Sequence, residues 1–198
     1  LTGRIDGSSR LAEGKKYGLF PSMAVAWHIK NEEFMKNIDF LSELKLRFSI
    51  GETGNTGISP YQTQGVLKLG DVYSFSGDDV RFFELGDIPN PDLKWERTLS
   101  KNLGVNFGFR NNRLSGSIDV YDNSTFDLMM RRNLPFTTGY SSVLENIGET
   151  RNKGIEVEIS STNIKTPNFT WSTDLNFSMN KNEIVSLYGG KEDDIGNN

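Results

Sequence analysis

Residues 95–109 read WERTLSKNLGVNFGF and alternate strictly between two kinds of side chain. The odd positions carry most of the large apolar groups, and the even positions carry small or hydrogen-bonding groups. Successive side chains of a β-strand point to opposite faces, so this segment predicts a strand with one apolar face and one polar face. The polar turn at residues 110–113 and the renewed alternation of residues 114–121 predict an antiparallel hairpin.

The length of this predicted strand favours a membrane setting. Residues 95–109 would extend over about 50 Å, whereas most strands of soluble proteins cover roughly 17–20 Å. A strand needs about 9–11 residues to cross a bilayer at a strong tilt, so this one is long enough to cross and project beyond it. The polar face carries Asn, Ser, Thr and Gly, which suits a water-filled lumen. Leu103 and Val105 are therefore predicted to face lipid, and Asn102 and Asn106 to face the lumen.

The composition sets limits on the function. The chain has 198 residues, of which 35% are hydrophobic and 24% charged, with a net charge of −4 and no Cys. Basic residues are neither in excess nor gathered in a stripe, which argues against a nucleic-acid partner. The sequence contains no apolar run of about 18 residues, so no transmembrane helix is predicted. A chain without Cys is compatible with an oxidising periplasm.

The other alternating segments bring the total to about seven strands. The predicted fold class is all-β, an antiparallel transmembrane β-barrel segment with long extracellular loops. Long loops are predicted at 55–92 and 131–151, and tight turns at 110–113 and 163–168. A connector with a helical turn or two, capped by Asn31, is predicted up to Leu44. Because bacterial barrels have short periplasmic turns and long extracellular loops, the two long loops are predicted to face the cell exterior.

This orientation sorts the side chains of the wall. Five aromatic residues of the apolar parity fall at predicted periplasmic ends, where they would form a girdle at the membrane interface: Trp27, Phe107, Phe109, Phe169 and Trp171. Six charged residues of the polar parity are candidates for facing the lumen: Lys45, Arg47, Asp119, Glu156, Glu158 and Asp174. We expect these charges to form a network along the wall or against a plug, with contact to cargo as the alternative.

Several segments taken together resemble one family. They include residues 90–96 (NPDLKWE), the hairpin 103–121, and residues 135–140 (PFTTGY), 146–148 (NIG) and 152–156 (NKGIE). Residues 6–10, 20–22 and 53–55 match in the same order, so that nearly the whole chain resembles the barrel of SusC/RagA-type TonB-dependent transporters. Five motif residues are interpreted as structural, because Gly and Asn set turns and restart strands. They are Asn146, Gly148, Asn152, Gly154 and Glu156.

The resemblance implies that residues 1–198 are part of a TonB-dependent receptor β-barrel domain. This domain would be a roughly 22-stranded barrel, closed by a plug, in the outer membrane of a Gram-negative bacterium. Such a protein imports bulky nutrients, glycans or peptides, with energy from TonB and usually beneath a SusD-like surface lipoprotein. The implied partners are this lipoprotein, TonB, an oligosaccharide or peptide substrate, and outer membrane lipids. The chain begins in a strand-like stretch and ends in the polar run 189–198, which we interpret as an internal piece lacking the plug.

No catalytic, cofactor-binding or metal-binding constellation is visible in the sequence, so we do not expect an enzyme. His28 is interpreted as an interfacial polar residue, and Asp78-Asp79 lacks the oxygen-rich spacing of a calcium loop. The alternative function is a soluble β-sandwich carbohydrate-binding module, which would have shorter strands and a sealed core between two sheets. A secreted glycoside hydrolase would need two carboxylates across a cleft, and no such pair can be identified.

Overall fold

A computed structural model describes residues 1–65, 67–75, 77–85, 88–140 and 142–187. Nine strands occur in this described part of the chain. They are β1 (Thr2–Gly7), β2 (Tyr17–His28), β3 (Leu41–Asn55), β4 (Leu67–Phe75), β5 (Asp78–Leu85), β6 (Glu96–Phe109), β7 (Leu114–Asn133), β8 (Ser142–Lys165) and β9 (Thr170–Ser186). Seven form one sheet in the order β1-β2-β3-β6-β7-β8-β9, and β4 and β5 form a separate two-stranded sheet. The polar run 189–198 lies outside the described residues.

Every neighbouring pair in the seven-stranded sheet is antiparallel, which confirms the predicted fold class. The predicted hairpin is β6–β7, in which Phe109 pairs with Leu114 across the turn 110–113. Arg110, Asn111 and Asn112 have φ angles of 49°, 57° and 59°. Asparagine enters this left-handed region more readily than most residues, which accounts for the two asparagines in the turn.

The register gathers the apolar parity of the strands on one face, which we call the outer face; the opposite face is the inner face. Leu103 of β6 lies opposite Phe48 on β3 and Val120 on β7. The same row continues through Ile155 on β8 to Met179 on β9. Leu103, Val120 and Met179 are nevertheless 49%, 49% and 62% exposed. A contiguous face of exposed large apolar side chains is typical of a surface that contacts lipid or a partner.

One cluster of buried hydrophobic residues is found in the described residues, and it lies away from the tight turns. Leu11, Ile58 and Leu93 are 2%, 3% and 0% exposed and pack with Trp95 and Leu144 around them. We call this region the cap, made of residues 8–16, 56–65, 88–95, 125–133 and 142–150. The part of the large sheet nearer the tight turns is the wall, made of residues 23–28, 44–50, 101–109, 114–122, 153–161 and 173–181.

The prediction of a loop at 131–151 is wrong for most of its length. Strand β7 runs to Asn133 and β8 begins at Ser142, so these two strands extend well past the wall. Their pairing is interrupted between Thr125 and Leu128, where the register shifts. Such a bulge breaks the alternation of side chains without ending the ladder. The loop is predicted from the Pro and Gly residues of the segment, but Gly148 lies inside β8.

Two further connections differ in detail from the predictions. The predicted loop 55–92 contains the hairpin β4–β5, in which Leu67 pairs with Leu85. The connector after β2 forms two short 3-10 turns, Ile29–Asn31 and Glu33–Met35, so Asn31 ends the first turn instead of capping a helix. Among the described residues, the helical segments are all too short to cross a membrane.

Candidate functional site

The inner face of the wall carries an ion pair built across a glycine. Arg47 on β3 donates from Nη2 to both carboxylate oxygens of Asp119 on β7, at 2.9 and 3.0 Å. Arg47 Nε also donates to Asn106 Oδ1 on β6, at 2.7 Å. Gly104 lies between Arg47 and Asp119 in the register. A Cβ at position 104 would collide with Asp119 and lie 2.8 Å from Arg47 Nη2, so glycine leaves the space that the ion pair occupies.

All six residues predicted to face the lumen belong to the inner face, but among them only Arg47 and Asp119 form an ion pair in the described residues. The set is Lys45, Arg47, Asp119, Glu156, Glu158 and Asp174. Asp119, Glu156 and Glu158 line a shallow depression of about 350 Å³. Within the described ranges, Glu156 and Glu158 form no ion pair, whereas Arg47 neutralises Asp119. The depression is therefore lined by two uncompensated carboxylates and a neutralised one.

The five predicted girdle aromatics all lie at the end of the wall that carries the tight turns. They are Trp27, Phe107, Phe109, Phe169 and Trp171. The ring centroids of Phe107 and Phe109 are 5.8 Å apart, and Trp27 Nε1 donates to Glu32 Oε1 at 2.9 Å. The prediction missed Phe40, whose ring stacks on Phe109 with centroids 6.2 Å apart. Phe40 lies in the connector, where no alternation marked it.

Two of the family motifs meet in the cap through one asparagine. Asn146 Nδ2 donates to Lys94 O at 2.9 Å and to Asp127 O at 2.7 Å, and Asn146 Oδ1 accepts from Lys94 N at 3.0 Å. The side chain thus pairs with Lys94 as a neighbouring strand would. Lys94 Nζ also lies 3.0 Å from Asp127 Oδ1, and Asp127 has a φ of 58° at the bulge of β7. We call Lys94, Asp127 and Asn146 the asparagine clamp.

Further hydrogen bonds hold the segment 90–96 against the same strands. Asn90 Nδ2 donates to Leu144 O at 2.8 Å, and Glu96 Oε1 accepts from Met129 N at 2.9 Å. Leu93, between these anchors, is 0% exposed. Hydrogen bonds on both sides of a fully buried leucine tie the loop to the extended ends of β7 and β8.

The remaining motif residues make close contacts within the protein. A Cβ at Gly148 would lie 2.8 Å from Met130 Sδ, and one at Gly154 would lie 2.5 Å from the Tyr121 ring. Asn152 donates to Asn182 across the β8–β9 pair. The close approach of neighbouring side chains at Gly148 and Gly154 supports a structural role for these two glycines.

The cap also contains an ion pair with a marked effect on a carboxyl group. Arg132 donates to Glu145 at 2.7 Å from Nε and at 3.0 Å from Nη2. These hydrogen bonds stabilise the carboxylate and lower the pKa of Glu145 below its ordinary value. The pair joins β7 to β8 beyond the bulge.

The described residues contain no group of three or more His, Cys, Asp or Glu placed to hold a metal ion. His28 ends β2 opposite Lys45. Asp78 and Asp79 begin β5.

Comparison with known proteins identifies the family. All of residues 1–198 match the family described as TonB dependent receptor-like, beta-barrel. The chain is 44% identical over 193 residues to TonB-dependent receptor P3 of Formosa agariphila, covering 97% of this chain and 19% of that protein. It is 38% identical over 205 residues to TonB-dependent receptor SusC of Bacteroides thetaiotaomicron, covering 98% of this chain and 20% of SusC.

The fold matches a solved structure as well. The superposition on a chain of the RagAB peptide transporter has a TM-score of 0.84 at 30% identity and covers 96% of this chain and 20% of that one. The chain therefore belongs to the β-barrel family of TonB-dependent receptors, and the resemblance inferred from its motifs is confirmed. It spans about a fifth of the length of the relatives it matches.

Proposed function

We propose that this chain forms part of the barrel wall of a TonB-dependent importer in the outer membrane of a Gram-negative bacterium. The observation that carries this proposal is the two-faced sheet, whose outer face is apolar and exposed while its inner face holds the Arg47–Asp119 pair. A soluble sandwich would bury the apolar face against a second sheet. Here Leu103 and Val120 remain 49% exposed.

Import requires the rest of the barrel. In the described residues the strand order ends at β1 on one side and β9 on the other. A sheet in lipid must satisfy all of its backbone hydrogen bonds, so both edges need further strands that close the barrel. Energy from TonB and a plug would act through the complete barrel. The two unpaired carboxylates Glu156 and Glu158 would face that lumen, opposite a plug or a passing substrate.

The relatives suggest the class of substrate that would pass through the barrel. One relative is SusC, and the matched structure is that of the RagAB peptide transporter. We therefore propose glycans or peptides as the substrate class and a SusD-like surface lipoprotein as the partner that covers the cap. The polar inner face, rich in Asn and Ser, suits hydrogen-bonding substrates of either kind.

The hairpin β4–β5 is the surface we assign to the lipoprotein. Its Leu69, Val72 and Phe83 side chains are 53%, 52% and 69% exposed. A two-stranded hairpin with both faces exposed is marginally stable by itself, so a partner that covers it would stabilise it. Replacing Leu69 and Phe83 by Ser should abolish co-purification of the lipoprotein, whereas replacing the exposed Phe34 in the opposite connector by Ser should not.

The orientation is tested by an epitope tag next to Gly77, in the turn between β4 and β5. In the full-length gene product the tag should be stained by antibody on intact cells. A tag placed between Asn111 and Asn112, in the turn at the other end, should be stained only after permeabilisation. The reverse pattern would overturn the orientation.

The transport function is tested by deletion of the complete gene. The deletion should abolish uptake of one class of large oligosaccharides or peptides, and a plasmid copy should restore uptake only in cells with a working TonB. Growth on the corresponding monosaccharide or amino acid is the control and should not change. Unchanged uptake of every large nutrient tested would contradict the proposal.

A further inference from the structure

A row of charges crosses the outer face at the boundary between wall and cap. Lys101 of β6 lies opposite Asp122 of β7, Asp122 lies opposite Lys153 of β8, and Lys153 lies opposite Lys181 of β9. All four side chains have the parity of the apolar residues. The alternation therefore places them on the outer face and not on the polar inner face.

An apolar row lies directly below the charges. Each charged residue is followed, two positions along its strand toward the girdle, by a large apolar residue: Leu103, Val120, Ile155 and Met179. The two rows line one groove of about 640 Å³. Below them the outer face stays apolar down to the aromatic girdle. On β6 to β9 the charged row thus marks the upper limit of the apolar band, whereas the same row is apolar on β3 and β2, at Ile50 and Met23.

The positive charges in this row exceed the carboxylates available to them. Asp122 forms an ion pair with Arg151, whose Nε donates to Asp122 Oδ1 at 2.8 Å. Lys181 forms an ion pair with Glu183. Lys101 and Lys153 form no ion pair in the described part of the chain. Around the groove, four cations face two carboxylates, although the chain as a whole carries a net charge of −4.

Asp122 lies opposite both Lys101 and Lys153 but also pairs with Arg151, so the row keeps a net positive charge. Lys153 and Lys181 lie directly opposite each other, and like charges at such positions destabilise a sheet. An anion bound between the lysines would remove this repulsion. Long lysine side chains can also keep their methylene groups along the apolar row while the ammonium groups reach the polar layer above it.

We propose that the groove holds a phosphorylated, anionic lipid of the outer leaflet, with its headgroup on Lys101 and Lys153 and its acyl chains along Leu103, Val120, Ile155 and Met179. This inference rests on the proposed placement of the wall in the outer membrane. The arrangement combines the two terms that fix a lipid, burial of apolar surface and attraction between phosphate and basic side chains. A soluble anion would satisfy the lysines but leave the apolar row uncovered.

The test uses the full-length gene product reconstituted in phosphatidylcholine vesicles that contain a photoreactive phosphatidylglycerol. Crosslinks should map to peptides from β6 to β9 that include the charged row. Unlabelled phosphatidylglycerol should suppress these crosslinks, and phosphatidylcholine or inorganic phosphate should not. Suppression by inorganic phosphate would overturn the lipid assignment, as would equal suppression by both lipids.

Variants of the lysines sharpen the test. Each lysine near an anionic membrane surface contributes about fivefold in affinity, so Lys101→Gln with Lys153→Gln should weaken phosphatidylglycerol binding by about 25-fold. Arg at both positions should keep it. The matched control, Lys15→Gln with Lys36→Gln, removes the same charge from exposed residues away from the groove and should have no effect.

The two proposals fail in different ways. If the wild-type protein enters the vesicles as a heat-modifiable barrel but shows no preference for phosphatidylglycerol, the lipid site is wrong and the barrel stands. If the protein does not enter the vesicles at all, both proposals are overturned. Wild-type competition gives this answer without any variant, so a misfolded variant does not affect it.

Discussion

The wall and the cap are continuous along β7 and β8, yet they are stabilised in opposite ways. In the cap, Leu93 is 0% exposed and hydrogen bonds anchor the chain on both sides of it. In the wall, Val120 is 49% exposed and Phe177 is 55% exposed on the outer face. The cap is built like a water-soluble domain, and the wall has its apolar side chains outside.

The difference shows that one continuous pair of strands can be stable both in water, at the cap, and in lipid, at the wall. Burial of apolar surface away from water stabilises the cap in the usual way. In lipid, packing apolar side chains against other protein groups adds little stabilising free energy. The wall depends instead on backbone hydrogen bonds between strands and on the match of its apolar outer face to the bilayer. A substitution should therefore have a different effect in each region, and four substitutions test this.

The largest effect is expected in the cap, from Leu93→Ala. Truncating a fully buried leucine removes apolar contacts and leaves a cavity, so the free energy of unfolding should fall by about 2–5 kcal/mol. Equilibrium unfolding of the refolded full-length protein in lipid vesicles measures this loss. The exposed Leu19→Ala on β2 serves as the control and should change the value by less than about 1 kcal/mol. Equal losses at both positions would mean that the cap has no core of its own.

In the wall the most damaging change should be a charge on the outer face. Val105→Arg should lower the free energy of unfolding in vesicles by about 2–4 kcal/mol if position 105 lies near the midplane of the bilayer. The matched change Asn102→Arg on the inner face should have a much smaller effect. Asn106 is less suitable as a control, because its side chain already accepts a hydrogen bond from Arg47. Equal losses at 105 and 102 would show that the alternation does not separate lipid from water.

The asparagine clamp should contribute less than the buried leucine. Asn146→Ala removes three hydrogen bonds to backbone groups and should lower the free energy of unfolding by about 1–3 kcal/mol. Hydrogen exchange should speed up in residues 88–95 and remain unchanged in the wall. Asn133→Ala, an exposed asparagine at the end of β7, is the control. Faster exchange throughout the wall would contradict the separation into two regions.

The smallest effect concerns the Arg132–Glu145 pair. The lowered pKa of Glu145 means that its contribution to stability is complete above the ordinary value of 4.5 and is lost as pH falls through the lower folded-state value. At neutral pH, Glu145→Gln should cost below about 1 kcal/mol, because the pair is partly exposed. The difference from wild type should shrink and vanish in acid. A constant difference at all pH values would exclude this linkage, and Glu13→Gln in an exposed loop serves as the control.

Much of the wall could be predicted from the sequence, because the side-chain alternation of a strand is local. The alternation of residues 44–50, 114–121 and 154–159 placed Arg47, Asp119 and Glu156 on one face, and the register confirms that they share it. The same parity placed Leu103 and Val105 on the opposite face. The fold class followed from repeating this pattern in seven segments joined by turns.

The cap was beyond such a prediction, since its contacts join residues far apart in the chain. Nothing near Asn146 shows that its side chain completes the hydrogen bonds of Lys94, which is 52 positions away. Pro135, Gly139 and Gly148 suggested a loop and so hid the true extents of β7 and β8, since Gly148 lies inside β8. The hairpin β4–β5 was missed because its apolar residues follow no clean alternation in a stretch rich in Gly and Asp.

The sequence by itself determined most strands of the wall, their two faces and, through its ordered motifs, the family. Only the tertiary structure decided which residues of each face meet: Arg47 with Asp119 across Gly104, Asn146 with Lys94, and three lysines and Asp122 of four neighbouring strands in a single row. The physical reason is that a side chain's face follows from its neighbours in the chain. Its partner depends instead on register and loop packing, which are properties of the whole fold.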